Sequence, residues 1–283
     1  MKRLMVFLCA IFLVFGMTGV AGAAPTMLPS WHDADKTGSG DTLLCWAAAA
    51  ANTLAYTGWD GGLADEDAIL TFFNDHWSDN FGNQYNAIYW FFTGDNMATY
   101  TGVASHDGLH AGFYDEAYWT GSAAGYQDPS DAWLGITDYV DRNADAGNDT
   151  NPGIHVFLDG EAYDHSVSLW GYDDDRNGDG TTGDYGIFIT DNDDGDPDNL
   201  LEYALIYDAG QYFIDDFVMF NNQTSDGFLI SSVYRLNSNT DEIEPNNGNG
   251  PGVEPVPEPA TMLLLGSGLI GLVGLGRKKF FRR

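Results

Sequence analysis

Thr42-Leu-Leu-Cys-Trp-Ala-Ala-Ala-Ala-Ala-Asn-Thr-Leu-Ala-Tyr-Thr57 is the stretch from which the fold is read. Ala and Leu are strong helix formers, Asp41 stands as N-cap, and Gly58 supplies the stop. Cys45 falls in its first turn.

Further helices are predicted downstream of this one. Asp65–Trp77 has acidic residues in its first turn and apolar ones at Ile69, Leu70, Phe72 and Phe73. Asn83–Phe92 reads as a short aromatic helix ended by Gly94. Ser130–Arg142 carries an apolar stripe of Trp133, Leu134, Tyr139 and Val140. Residues 95–127 give no clear pattern. After these, the chain turns to β-branched and aromatic runs separated by turn residues. Ile154–Leu158, His165–Gly171, Tyr185–Thr190, Leu200–Tyr207 and Phe228–Leu236 read as strands. Helices followed by an antiparallel sheet predict an α+β domain, an order shared with cleft enzymes of the papain type.

Both ends read as targeting segments. Lys2 and Arg3 precede an apolar run from Leu4 to Met17, and Ala21-Gly22-Ala23 supplies a small-residue cleavage pattern. Residues 1–23 are therefore read as a secretory signal, which takes Cys9 with it. At the other end, Val256-Pro257-Glu258-Pro259 precedes an apolar stretch from Ala260 to Gly276 and the basic cluster Arg277–Arg283. That stretch spans about 25 Å as a helix, enough for a thin membrane. Residues 256–283 resemble the PEP-CTERM sorting signal. The resemblance implies an exosortase-type partner, a transient membrane anchor and delivery to the cell envelope or surface. Residues 237–255, rich in Asn, Gly, Pro and acids, are expected to be a linker. The working domain is then 24–236.

Charge narrows the function. Lys+Arg number 11 against 42 Asp+Glu, a formal net charge of −31. Lys36, Arg142, Arg176 and Arg235 are the basic residues that lie between the terminal segments. So acidic a body repels phosphate backbones and excludes nucleic acid as a partner.

Cys45 is the cysteine that remains after signal removal. It is either a buried small hydrophobe or a reactive group. A position in the first helical turn favours the thiolate, which is the nucleophile. His165 opens a predicted strand 120 residues later and is the candidate base. Asp191 ends the next strand. If the two strands pair as a hairpin, His165 and Asp191 share one edge.

Leu43-Leu-Cys45-Trp-Ala-Ala48, His165-Ser-Val-Ser-Leu-Trp-Gly171 and Tyr185-Gly-Ile-Phe-Ile-Thr-Asp191-Asn-Asp193 resemble the IdeS/Mac family of immunoglobulin-degrading cysteine peptidases. The resemblance implies a papain-like fold and a hydrolase acting on a protein or peptide substrate. It implies Cys45 as nucleophile, His165 as base, Asp191 as the residue that orients the ring, and Asp193 as its support. It also implies Lys36 as an oxyanion-hole residue, nine positions before Cys45 and followed by Thr37. Trp46 stands where the family has glycine. Immunoglobulin cleavage is not carried over, because substrate choice in the family depends on surfaces far from the thiol. Two other readings use the same fold: a surface module that binds without turnover, and an acyl transferase or amidase on the same triad. No cofactor is required for any of these.

Between the two motif strands, Asp173, Asp175, Asn177 and Asp184 fall at positions 1, 3, 5 and 12 of an EF-hand-like spacing, with Gly178 at 6. They read either as a structural calcium loop or as a polar hairpin turn. His106 and His110 are spaced like a metal pair, but Gly108 between them opposes a helix.

Overall fold

The structure is a computed structural model that describes residues 24–34, 36, 41–77, 82–95, 111–144, 153–159, 165–190, 199–219, 223–225 and 227–246. It is α+β, as the order of the sequence patterns predicts.

Helix α1 runs Cys45–Thr57, three residues shorter at its start than expected. Asp41 is not its cap residue. A turn closes first, with Leu44 N–H donating to the Asp41 carbonyl at 3.0 Å, and Leu44 becomes the boundary residue. The correction places Cys45 at the first helical position. Gly58 ends the helix in the left-handed region, at φ 74°.

Helix α2, Glu66–His76, is capped by Asp65, whose side chain accepts from Ala68 N–H at 2.9 Å. Helix α3, Gln84–Thr93, is capped by Asn83. Both pack on α1, and Trp46, Phe73, Trp77, Trp90, Phe91 and Phe92 fill the space between them. Rings such as Trp46 and Trp77 meet edge to face at 5.7 Å. Each such side chain contributes about 2–3 kcal/mol by leaving water, which is what holds an uncharged alanine helix in place.

Helix α4, Glu116–Ser122, and strand β2, Ala123–Tyr126, occupy the stretch that gave no sequence pattern. Helix α5 spans Ala132–Ala144 after a short 3-10 turn. Its buried face is Ala132, Ile136, Tyr139 and Val140. The expected stripe is corrected at Leu134, which is 56% exposed. Two residues past Ala132, it points about 200° around the helix from that face.

The sheet is built from β1 (Thr26–Met27), β3 (Gly153–Asp159), β4 (His165–Asp173), β5 (Gly186–Thr190), β6 (Leu200–Asp208), β7 (Gln211–Ile214) and β10 (Phe228–Leu236), with β2 on the edge of β10. Strands β8 (Phe217–Met219) and β9 (Gln223–Ser225) pair separately. The antiparallel pairings run β3–β4–β5–β6–β7–β10 and return to β3, so the sheet curls on itself. Inside lie Val167, Leu169, Ile187, Ile189, Ile214, Phe228 and Ile230.

Strand β4 is buried on both faces. Val167 and Leu169 point into the curl, while Ser168 lies against α1, its hydroxyl donating to the Ala49 carbonyl at 3.4 Å. Ser166 and Ser168 alternate with the apolar residues because small side chains let the alanine-rich helix approach the sheet closely.

The start of the expected linker is ordered. Residues 237–246 lie along the helical half: Trp59 Nε1 donates to Asn237 O at 2.7 Å, Asn239 N to Thr57 O at 2.7 Å, and Asn246 N to Phe113 O at 2.7 Å. Ile243 packs on the aromatic core. One apolar residue and a few well-placed amides suffice to dock a segment whose composition is otherwise that of a linker.

The β4–β5 hairpin is stabilised by its own acids. Asp173 Oδ1 accepts from Asp175 N–H at 2.9 Å, and Asn177 Oδ1 accepts from Asp179 N–H at 2.9 Å. The buried Asp175 carboxylate accepts from Gly180 N–H with both oxygens, at 3.1 and 3.0 Å. Asp184 closes the loop through its carbonyl, which accepts from Arg176 N–H at 3.0 Å. These are the bonds of a polar turn. Replacing Asp175 with Ala should lower stability by about 1–3 kcal/mol in urea unfolding with a calcium chelator present. An unchanged midpoint under chelation would mean that the carboxylate is idle until an ion fills the loop.

Candidate active site

Two element ends meet here. Cys45 is the first residue of α1, where the helix dipole favours negative charge. His165 is the first residue of β4 and is buried. The His165 side chain hydrogen-bonds the Cys45 thiol, and the backbone N–H of Ser166 also donates to the sulfur. Cys45 itself is partly buried, yet enough protein surrounds its thiol to make desolvation the largest influence on its titration.

Burial pushes the Cys45 thiol up. The positive charge of His165 pulls it down, followed by the hydrogen bond from that ring, the charge of Lys36 and the Ser166 N–H. The lowering influences win, and the thiol lies below its ordinary value of 9.0. Lys36 is held beside the helix start, its Nζ donating to the Thr42 carbonyl at 3.1 Å. The His165 ring is backed by Phe217, edge to face at 5.5 Å.

The structure therefore brings together Cys45, His165 and Lys36. Asp191 and Asp193 lie outside the described residues. The residue before them is well fixed: Thr190 pairs across the ladder with Ser168 in β4. Its hydroxyl accepts from Trp170 Nε1 at 2.8 Å and donates to the His32 carbonyl at 2.9 Å. Asn52 of α1 reaches the same hydroxyl at 3.4 Å, and its Oδ1 accepts from Ala34 N–H at 2.7 Å. The end of β5 is thus tied to α1, to β4 and to the segment leading to Lys36.

Sequence reasoning missed Ser166, Asn52 and Thr190 as parts of this surround, and with them Gln84, whose Oε1 accepts from the Ser166 hydroxyl at 2.7 Å. Ser166 could have been read from the Ser-Val-Ser alternation after His165. The others carry no local signal, because their partners are distant in sequence.

The candidate calcium residues Asp173, Asp175, Asn177 and Asp184 lie in the β4–β5 hairpin, in the hydrogen-bonded turn described above. Among the described residues, no group of three or more His, Cys, Asp or Glu is placed to hold a metal ion. His106 and His110 lie outside the described residues.

Residues 255–279 match the family model of the PEP-CTERM protein-sorting motif. No curated protein is significantly similar to the chain. Among the described residues no helix is long and apolar enough to cross a membrane, and the expected span 260–276 lies outside them. The sorting motif marks the chain for export and envelope-associated sorting, and implies recognition by an exosortase-type enzyme.

Proposed function

We propose that the chain is an exported cysteine endopeptidase with a papain-like arrangement of helix and sheet. The observation that carries this reading is the hydrogen-bonded Cys45–His165 pair at the junction of α1 and β4. A thiol touching an imidazole, at a helix start and beside a lysine, is the arrangement that activates sulfur.

In this reading His165 takes the thiol proton, and the Cys45 sulfur attacks the carbonyl carbon of a peptide bond. The C–S bond forms as the carbonyl becomes an oxyanion. Lys36 and the Cys45 backbone N–H stabilise that oxygen. Collapse breaks the C–N bond, and His165 returns its proton to the leaving amine. Water then attacks the thioester, giving its proton to His165, and the acid leaves as Cys45 is regenerated. Asp191 holds the His165 ring, with Asp193 supporting it, as the resemblance to the IdeS/Mac peptidases implies. The same thioester could pass to an amine acceptor instead of water, so an acyl transferase differs in acceptor access and not in the nucleophile.

Replacing Cys45 with Ala should abolish cleavage of casein or of a mixed protein library, read by mass spectrometry of new termini. Persistent cleavage would falsify the proposal. Replacing Lys36 with Met should lower kcat by about two orders of magnitude with KM little changed. An unchanged kcat would remove Lys36 from the oxyanion site.

The depressed thiol makes a separate prediction. Alkylation by iodoacetamide follows the thiolate fraction, so its pH midpoint at Cys45 should fall below that of free cysteine. Replacing His165 with Ala removes two lowering influences and leaves burial opposed only by Lys36 and the Ser166 N–H. The midpoint should then rise. A midpoint unmoved by this substitution would mean that the imidazole does not act on the sulfur.

A further inference from the structure

Gln84 is the first residue of α3 and is fully buried. Its place is over-determined. Asn83 Oδ1 accepts from Tyr85 N–H at 2.9 Å and Asn86 N–H at 3.3 Å, which fixes the helix start. Gly82 lies so close to the Trp46 indole that any Cβ there would collide with it. Trp46 is the residue after Cys45, so the turn leading into α3 is pinned to the start of α1.

The carboxamide has two ends. Oε1 accepts from the Ser166 hydroxyl at 2.7 Å, a bond buried on both sides. Nε2 is buried and finds no hydrogen-bond partner among the described residues. A buried amide donor left idle is destabilising, and a methionine would fill similar space without that penalty. Packing therefore does not account for an amide at this position. What the paired end does is hold Ser166. That residue follows His165, and its backbone N–H donates to the Cys45 sulfur.

We propose that Gln84 is a positioning residue: through the Ser166 hydroxyl it fixes the first two residues of β4, and so aims the His165 ring and the Ser166 N–H at Cys45. The proposal rests on the thiol-peptidase reading for its purpose, but its geometry is tested without turnover.

The experiment compares Gln84→Met, Ser166→Ala and the double variant with the parent. Each is measured for the pH profile of Cys45 alkylation by iodoacetamide, for kcat and KM on labelled casein, and for thermal melting. Each single substitution should raise the alkylation midpoint by about one pH unit and lower kcat on the order of tenfold, with KM near the parent value. The double variant should be no worse than the worse single one, because both remove one bond. Gln84→Met should melt close to the parent temperature, since it removes an idle buried donor but also strands the Ser166 hydroxyl. Folded variants with the parent's alkylation profile and kcat would overturn the proposal and leave Gln84 as packing. If Gln84→Met does not fold, Ser166→Ala decides, since it cuts the same bond from the other side. A parent that cleaves nothing would defeat the peptidase reading, while the alkylation profiles would still decide the role of Gln84.

Discussion

The contact between the Cys45 sulfur and the His165 ring is the constraint to which the rest of the structure answers. The two residues are far apart in sequence, so the start of α1 must be brought to the start of β4 and held there. A helix of alanines makes this approach feasible, since its backbone can sit close to a strand that presents serines toward it. The large aromatic side chains lie behind that contact and hold α2 and α3 on the far side of α1. Trp46 belongs to that packing, so the residue beside Cys45 anchors the helix from within the core.

The site balances two opposed demands. Enclosing a thiol favours its neutral form, whereas the proposed nucleophilic role needs the anion. A chain with a formal net charge of −31 adds a field that also opposes an anion. Lys36 is one of few basic residues outside the terminal segments, and its charge acts on the sulfur together with His165. Short-range interactions decide the outcome, because the distant acidic charges are screened over about 8–10 Å in salt.

Much of the frame was legible in the sequence. The helices starting near Asp65 and Asn83, the stop at Gly58, and the strands opened by His165 and Phe228 rest on local chemistry that a sequence displays directly. The start of α1 was misplaced because a turn closed by the Asp41 carbonyl comes first, and the helix begins only after Leu44. Leu134 was misread because hydrophobicity alone does not say which side of a helix meets the sheet. The short strands β1, β7, β8 and β9 carry too few residues to show a period. Closure of the sheet through β7 and β10 is a pairing between distant segments, and no local pattern encodes it. In the site, Cys45 and His165 announced themselves by residue type and context. Gln84 did not, since a glutamine at a helix start reads as an ordinary surface residue until the fold buries it.

The central claim, that sulfur and imidazole touch, can be measured by covalent bridging. Dibromoacetone alkylates a thiol and then links it to a second nucleophile only when that partner lies within its three-carbon reach. Peptide mapping of the treated protein should find one bridged pair joining the segments that contain Cys45 and His165. Alkylation of Cys45 with no bridge, or with a bridge to a different side chain, would contradict the account.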